Sequence, residues 1–373
     1  MSYPSIDTLQ KVLSEQVFSH TKDAKKAAGR ALGTMIEIIS YYLLKEWGLE
    51  DSISIERGLP EYGNPSITHN VEFTLHPLLK TQDILLTNKL PLTSSRIAKE
   101  LYLRSEFKIK NNCLLDKNFT LKNACTIAES SAFLVLATIL YTENNTIAVR
   151  TYFQYKKPYA MFECKRVGVE EGNKKGPQTI EKAKQGAYVA QNTSSLQKIR
   201  NEKGEKYGII YDNETPIIKP YSELLHAIIN NNQTELLKDF TMSVGIVSNH
   251  GNWFTSEDQN KELKVLAQSY DWLLFLSNFG LAQFITDLLL SPDTQYEPIR
   301  KAFLNSYKEG KKNNIFTKAK MDLEAHSALC HYFHTHISDI EKWFNVITPQ
   351  TSTITTLKEE LYLLKNKNWE GII

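Results

Sequence analysis

The sequence is short of the residues that mark exported, repetitive or membrane-spanning proteins. Its 373 residues include four cysteines, too few and too irregularly spaced for a CxxC pair or a disulfide framework. The 16 glycines and 12 prolines are scattered, so repeat and low-complexity architectures have no compositional support. The first residues carry no signal-peptide pattern, and the longest apolar run, 130–141, is shorter than the roughly 18 residues that span a bilayer. We therefore expect a cytoplasmic protein without a membrane segment.

Motifs for nucleotide-driven and serine-hydrolase chemistry are also missing. The chain contains no Walker A sequence, no GxSxG elbow and no dinucleotide-binding glycine fingerprint, so we expect no nucleotide cofactor. The composition is that of a globular protein, 42% hydrophobic and 23% charged. At roughly 150 residues per domain, the length allows two or three domains.

Hydrophobic periodicity predicts an α/β protein with a central mixed β-sheet flanked by helices and a helical C-terminal subdomain. Residues 21–47 have the apolar spacing of one long helix, which Gly48 ends. Short segments bounded by turn residues predict strands at 52–60, 66–77, 206–212 and 241–249.

The same patterns predict how the chain is organised. Residues 1–255 are expected to form the core, with an inserted segment at about 78–150, and residues 256–373 a helical subdomain. Within the subdomain, 261–290 is predicted to be one long amphipathic helix and a candidate dimer interface. The apolar run 130–141 is predicted to be a buried helix, and the segments after it, 146–155 and 159–167, a hairpin.

The strand predicted at 159–167 carries charged residues in an apolar setting. Because side chains alternate along a strand, Glu163 and Lys165 project from one face and Cys164 from the other. A carboxylate and an ammonium inside a sheet are unfavourable unless they are paired or bound to a metal. The pattern therefore indicates an active site, with a salt bridge on an edge strand as the alternative.

This pattern resembles the PD-(D/E)xK nuclease superfamily. The match consists of Glu163-Cys164-Lys165 after the apolar residues YAMF, a Lys-Pro turn before that strand and the helix QTIEKAKQ after it, within an order of elements that covers roughly 21–255. In length and helical extension the chain is similar to a stand-alone Type II restriction endonuclease. The resemblance implies a restriction-endonuclease-like core, Mg²⁺-dependent cleavage of double-stranded DNA, and a homodimer that cuts a palindrome in a bacterial cytoplasm.

The superfamily has a second acid, usually Asp, on a preceding strand, and two glutamates compete for that place. Glu72 projects from a strand whose opposite face is apolar, and it requires an insertion of about 90 residues before Glu163. Glu143 is nearer in sequence but lies in an Asn-rich turn. We favour Glu72. The resemblance also implies that Glu37, in the long helix, is an auxiliary ligand, although a core carboxylate is an equal interpretation.

These groups suit a hard cation with oxygen ligands. Glu72, Glu163 and the backbone carbonyl of Cys164 offer ligands for Mg²⁺, which usually keeps several waters. Lys165 lies two residues beyond Glu163, on the same side of the strand, and would orient the attacking water or help to deprotonate it. The site is therefore expected to hydrolyse phosphodiester bonds.

Basic residues are concentrated around the predicted catalytic strand. The chain has 44 basic and 42 acidic residues, a net charge of +2, but residues 156–206 hold 12 basic and 6 acidic residues, a local charge of +6. Such a cluster suits a phosphate backbone. The residues expected to contact DNA lie in the loop and helix after that strand, in a predicted helix at 93–107 and at the end of the strand 241–249: Lys174, Lys175, Lys182, Lys184, Gln185, Arg96, Arg104, Asn249 and His250.

Two other functions compete with the restriction enzyme. One is a repair or structure-specific nuclease with the same fold. The other is a non-catalytic DNA-binding protein in which the Glu163-Cys164-Lys165 strand is structural.

Overall fold

The computed structural model describes residues 6–167, 186–230, 234–249, 261–307 and 315–373. The chain forms two compact units, and each consists of three segments. Unit 1 contains Met1–Ile55, Leu78–Lys157 and Phe279–Ile340, and unit 2 contains Glu56–Pro77, Pro158–Asn278 and Glu341–Ile373.

Helices and strands are numbered in chain order over the described residues. The helices are α1 (Ile6–Gln16), α2 (Ala24–Leu44), α3 (Ser94–Glu100), α4 (186–193), α5 (Tyr221–Asn230), α6 (Thr234–Lys238), α7 (Lys261–Ser269), α8 (Asn278–Ile285), α9 (Glu297–Ser306), α10 (Leu323–Glu341) and α11 (Ile354–Lys365). The strands are β1 (Ile53–Arg57), β2 (Val71–Leu75), β3 (Leu78–Thr87), β4 (Leu92–Thr93), β5 (Lys108–Ile109), β6 (Cys113–Leu115), β7 (Thr120–Lys122), β8 (Cys125–Glu129), β9 (Phe133–Glu143), β10 (Thr146–Tyr155), β11 (Ala160–Val167), β12 (Gln197–Arg200), β13 (Lys206–Asp212), β14 (Thr215–Pro220), β15 (Met242–Asn249), β16 (Trp272–Leu276), β17 (Lys320–Asp322) and β18 (Phe344–Thr348).

A six-stranded mixed sheet with the order β1-β2-β11-β15-β16-β18 forms the centre of unit 2. Strands β11, β15 and β16 run parallel, whereas β2 is antiparallel to β11 and β18 is antiparallel to β16. The predicted fold class, α/β with a mixed sheet flanked by helices and with C-terminal helices, is confirmed. Its likeness to a restriction-endonuclease core stays a prediction.

Helices cover the face of this sheet from which Met161 projects, because apolar residues on both layers exclude water there. Buried residues of α4, such as Val189, and of α7, such as Leu263, join Met161, Val247 and Leu273 of the sheet in one hydrophobic cluster. Strands covered by helices read as nearly continuous apolar runs rather than alternating ones. Every residue of β15 and of β16 is accordingly buried.

Unit 1 contains the predicted long helix, which is confirmed as α2. The Asp23 side chain caps it by accepting a hydrogen bond from the Lys26 amide. Beyond α2 the chain takes one wider helical turn, Lys45–Leu49, in which Gly48 has a φ of 71°. That left-handed conformation suits glycine, as predicted for the helix stop. The unit also contains a five-stranded sheet, β3-β10-β9-β8-β5, and a four-stranded sheet, β17-β7-β6-β4.

Two predictions about residues 130–167 are wrong. The run 130–141 forms strand β9, paired with β8 and β10 on its two sides, instead of a helix. A short apolar run inside a sheet has no periodicity that distinguishes it from a buried helix. Strands β10 and β11 do not form a hairpin, because β10 pairs with β3 and β9 while β11 pairs with β2 and β15.

The C-terminal third also differs from prediction. The segment predicted as one helix at 261–290 contains α7, β16 and α8, so it offers no long helix as a dimer interface. Residues 256–373 are not wholly helical, since they contribute β16 and β18 to the central sheet, and the boundary expected at 255 does not coincide with the division into units. The expected insert, 78–150, falls within Leu78–Lys157 of unit 1.

Two smaller differences concern β13 and α3. Strand β13 belongs to a separate three-stranded sheet, β12-β13-β14, and not to the central one. The helix predicted at 93–107 ends at Glu100, and Tyr102 has a left-handed φ of 50°. In the described part of the chain, no helix is both long and apolar enough to cross a membrane.

Candidate active site

Glu163 and Lys165 lie on β11, the third of six strands, so the expectation of an internal strand is confirmed. On one side β11 pairs with β2 in a register that places Phe162 opposite Phe73. The pairing ends there, and the backbone amide of Glu72, the next residue of β2, donates to the Glu163 side chain. Pairing with β2 therefore brings the backbone of Glu72 to the Glu163 carboxylate.

The Glu163 carboxylate is buried and receives three hydrogen-bond donors. Lys165 Nζ lies 2.7 Å from its Oε1 atom, and His69 Nε2 lies 2.9 Å from the same atom. The backbone amide of Glu72 donates to Oε2 at 3.3 Å. The Glu163 side chain has 0% exposure, while those of Lys165 and His69 are 25% and 28% exposed. Of these three side chains, those of Lys165 and His69 are therefore the ones in contact with solvent.

Helix α4 closes over Glu163 on the inner side, and glycine makes this approach possible. A Cβ atom at Gly186 would clash with Glu163 Cγ and would stand 2.6 Å from the Tyr270 hydroxyl. Gly245 pairs with Glu163 on β15, and a Cβ atom there would stand 2.8 Å from the Tyr270 ring. Both glycines therefore leave the space that the Tyr270 side chain fills beside the carboxylate.

Tyr270 lines the site with an uncharged side chain. Its burial raises the pKa of the phenol well above the usual value of 10.0, and the nearby charge of Glu163 raises that pKa further. The side chain therefore stays protonated over the range in which proteins are stable. Its aromatic ring fills the inner end of the site. The charged groups there are Glu163 and Lys165.

A second buried polar network fixes the backbone next to Tyr270. Asp271 accepts hydrogen bonds from the Tyr221 hydroxyl and, at 2.6 Å, from the Ser243 amide. The Lys198 ammonium donates to the Tyr270 carbonyl, and burial lowers the pKa of Lys198 to about 8. These contacts tie the end of α7 to β12 and β15, which holds Tyr270 in place.

The two candidates for the second acid lie in different sheets. Glu72 is part of the central sheet beside Glu163, whereas Glu143 is the exposed last residue of β9 in the five-stranded sheet of unit 1. Cys164 is buried on the same strand as Glu163, one register position from it, opposite Ile246. Glu37 lies in unit 1 and forms a 2.9 Å ion pair with Lys318. That pair matches the core-carboxylate interpretation, and a ligand role for Glu37 stays a prediction.

The structure adds information on some of the predicted DNA contacts. Arg96 donates hydrogen bonds from its guanidinium to the carbonyls of Thr87 and Lys89, which fixes it on its own unit. Arg104 is exposed but lies beyond the end of α3, so the two arginines do not share a helical face. Asn249 is a buried residue of β15 and not part of a loop. Five predicted lysine and glutamine contacts and one histidine lie outside the described residues: Lys174, Lys175, Lys182, Lys184, Gln185 and His250.

The residues around Glu163 fit a divalent cation with few protein ligands. A carboxylate offers about four lone-pair sites, and three donors from the described residues reach Glu163, so among these residues Oε2 keeps acceptor capacity next to β2. In the described ranges, no group of three His, Cys, Asp or Glu side chains is arranged to hold a metal ion. Mg²⁺ does not need such a group, because it is commonly bound by one or two carboxylates, waters and substrate phosphates.

Sequence reasoning missed His69, Gly186 and Tyr270. His69 belongs to the loop before β2, and only its position three residues ahead of Glu72 could have drawn attention to it. Gly186 and Tyr270 reach Glu163 from distant parts of the chain, and no local pattern reports such contacts. Comparisons with protein-family models, curated proteins and solved structures gave no match.

Proposed function

We propose that this protein is a Mg²⁺-dependent, sequence-specific double-strand DNA endonuclease that resembles a Type II restriction enzyme. One observation carries the proposal: a buried carboxylate on an inner strand has an ammonium 2.7 Å away and the backbone amide of a second glutamate 3.3 Å away. A homodimer that acts on a palindrome in a bacterial cytoplasm belongs to the same proposal.

Each residue has a role in this chemistry. Glu163, through Oε2, and Glu72 would hold the cation, with the Cys164 carbonyl as a further ligand. When bound, Mg²⁺ polarises the scissile phosphate and stabilises charge on the leaving oxygen. Lys165 is a quarter exposed beside the carboxylate, so it can orient the attacking water and stabilise negative charge that develops on the phosphate. Tyr270 and α4 keep water away from the inner side of Glu163.

A digest of supercoiled plasmid with and without Mg²⁺ tests the proposal. Discrete bands that appear only with Mg²⁺ are expected. Smears, or a preference for branched substrates, would instead favour a repair or structure-specific nuclease. The matched variants are Glu163→Gln, expected to be inactive, and Glu360→Gln. Glu360 is another buried glutamate of unit 2 and bonds the Trp272 indole at 2.8 Å. Equal cleavage by both variants would refute the assignment of Glu163.

A non-catalytic DNA-binding protein is the second candidate, and one observation favours it. The Glu163–Lys165 contact is a closed ion pair, and a buried pair of this kind can be purely structural. In that case Lys165→Ala lowers stability and the wild-type protein binds DNA without cutting it. Thermal melting and gel-shift assays beside the digest separate the two functions.

A further inference from the structure

His69 contacts the central carboxylate although its position in the sequence does not mark it as a site residue. Its Nε2 atom lies 2.9 Å from Glu163 Oε1. An ionised carboxylate only accepts hydrogen bonds, so His69 is the donor in this contact. The ring therefore acts on Glu163.

The donors are unequally divided between the two oxygens of Glu163. Among the described residues, Oε1 receives Lys165 and His69, which fill about two lone-pair sites, whereas Oε2 receives the Glu72 amide at the longer distance of 3.3 Å. The oxygen with remaining capacity is thus the one that faces β2, where Glu72 lies. The two oxygens differ in their number of donors because His69 joins Lys165 on Oε1.

His69 can control how the Glu163 carboxylate is rotated about its terminal side-chain bond, because the surrounding residues restrict the other movements of this side chain. The Glu163 side chain is fully buried, and α4 approaches so closely that a Cβ atom at Gly186 would clash with Cγ and lie 2.9 Å from Cδ. This close packing limits movement of the side chain toward α4. The terminal torsion of a glutamate has a broad, roughly two-fold preference, so hydrogen bonds have to fix its orientation.

We propose that His69 is a positioning residue: with Lys165 it occupies Oε1 of Glu163 and thereby presents Oε2 to the divalent cation. This inference rests on the proposed function, because it assigns the cation to Glu163. Partners that orient a metal-binding side chain typically change metal affinity or activity by about 10–100-fold when they are lost. The imidazole itself does not bind the metal in this arrangement.

The test is a calorimetric titration of the full-length protein with Mn²⁺, without DNA. His69→Ala should bind Mn²⁺ about tenfold more weakly or worse. His69→Gln should restore most of the affinity, because its amide can reach Oε1, while the shorter His69→Asn should behave like alanine. His226→Ala is the matched control. That histidine lies 3.6 Å from the buried carboxylate of Glu360 in the same unit, and its loss should leave Mn²⁺ binding unchanged.

Two results would overturn the inference: wild-type Mn²⁺ affinity in His69→Ala, or equal weakening by glutamine and asparagine. If His69→Ala does not fold, the glutamine and asparagine variants, checked by thermal melting, decide the question. Failure of the proposed function looks different. The wild-type protein would then not bind Mn²⁺, or Glu163→Gln would bind it as tightly as wild type.

Discussion

Among single residues, Lys165 is the one whose replacement should affect the cleavage rate most and DNA affinity least. Lys165→Ala should lower the cleavage rate by about 100-fold or more, because the ammonium beside Glu163 is lost from the attack on phosphate. DNA affinity should change little, since many other contacts position the duplex. Lys219→Ala is the control, because Lys219 forms an exposed pair with Glu223 at 3.8 Å. Cleavage rates and gel shifts measure both effects, and near-wild-type cutting by Lys165→Ala would remove the central hypothesis.

The choice between the two candidate acids is also a question of single residues. Glu72→Gln should abolish cleavage without unfolding the protein, because the proposed cation loses a carboxylate ligand while the contact of the Glu72 amide with Glu163 is made by the backbone and is kept. Glu143→Gln should leave activity within a small factor, since Glu143 is exposed at the end of β9. Plasmid digestion and circular dichroism on both variants provide the measurement. Loss of activity in Glu143→Gln alone would reverse the assignment.

How far the sequence predicts the site depends on the range of the contacts. Alternation along a strand is a local property, so the common face of Glu163 and Lys165 could be predicted, and their 2.7 Å contact confirms it. His69 reaches Glu163 across 94 positions of sequence, and Tyr270 reaches it from a different segment again. Such contacts are set by the register of β2 and by the packing of helices, which no local pattern encodes.

At the scale of secondary-structure elements, the approach of α4 to β11 depends on one glycine. Gly186→Ala should destabilise the protein by about 1–3 kcal/mol, because the added methyl group meets Glu163 Cγ and the Tyr270 hydroxyl. The control is Gly33→Ala in α2, where nothing lies within 4 Å of an added Cβ. Alanine should there stabilise the helix by about 0.5–1 kcal/mol. Urea unfolding measures both, and equal effects of the two substitutions would contradict the close packing.

Elements were predicted correctly where the apolar residues recur at helical spacing or where turn residues bound a short segment, and wrongly in two continuous apolar runs. The amphipathic α2 and the short strands β1 and β2 were identified by their periodicity and bounding turns. Strands β9 and β16 were assigned to helices, because a run such as Trp272–Leu276 is apolar at every position. In such runs the partner strands on both sides decide the conformation, and these lie far away in sequence.

For the whole molecule, a buried carboxyl group predicts how stability depends on pH. Burial raises the pKa of Glu360 from its ordinary 4.5 to about 7. The folded state therefore holds this proton more tightly than the unfolded state. The contribution of protonated Glu360 to the free energy of unfolding is complete below about pH 4.5 and is lost as the pH rises through about 7. Glu360→Gln should flatten the stability profile in that window. Melting temperatures measured from pH 4 to 8 test this, and parallel profiles would argue against the raised pKa.

Binding of the whole molecule to DNA should depend strongly on salt if the basic segment 156–206 lies along the duplex. Each neutralised phosphate releases about one counterion, so the double variant Lys174→Glu, Lys175→Glu should weaken binding to all sequences and flatten the salt slope. Lys11→Glu with Lys22→Glu makes the same change of charge at exposed positions of unit 1. Fluorescence anisotropy at several salt concentrations compares the two, and identical slopes would place the segment's charge away from DNA.

The division of the chain into interleaved segments affects how the protein is made. The chain passes between the two units five times, and the central sheet gains its last strand, β18, only at Phe344–Thr348. During translation β11 leaves the ribosome long before β18 is synthesised. Until then, Glu163 and Lys165 lie on a strand of a sheet that lacks β18. Prematurely terminated chains would lack this outer strand. If the protein is the proposed nuclease, its central sheet would be complete only after residue 348 has been synthesised, which would limit cutting of the host's own DNA by shorter nascent chains.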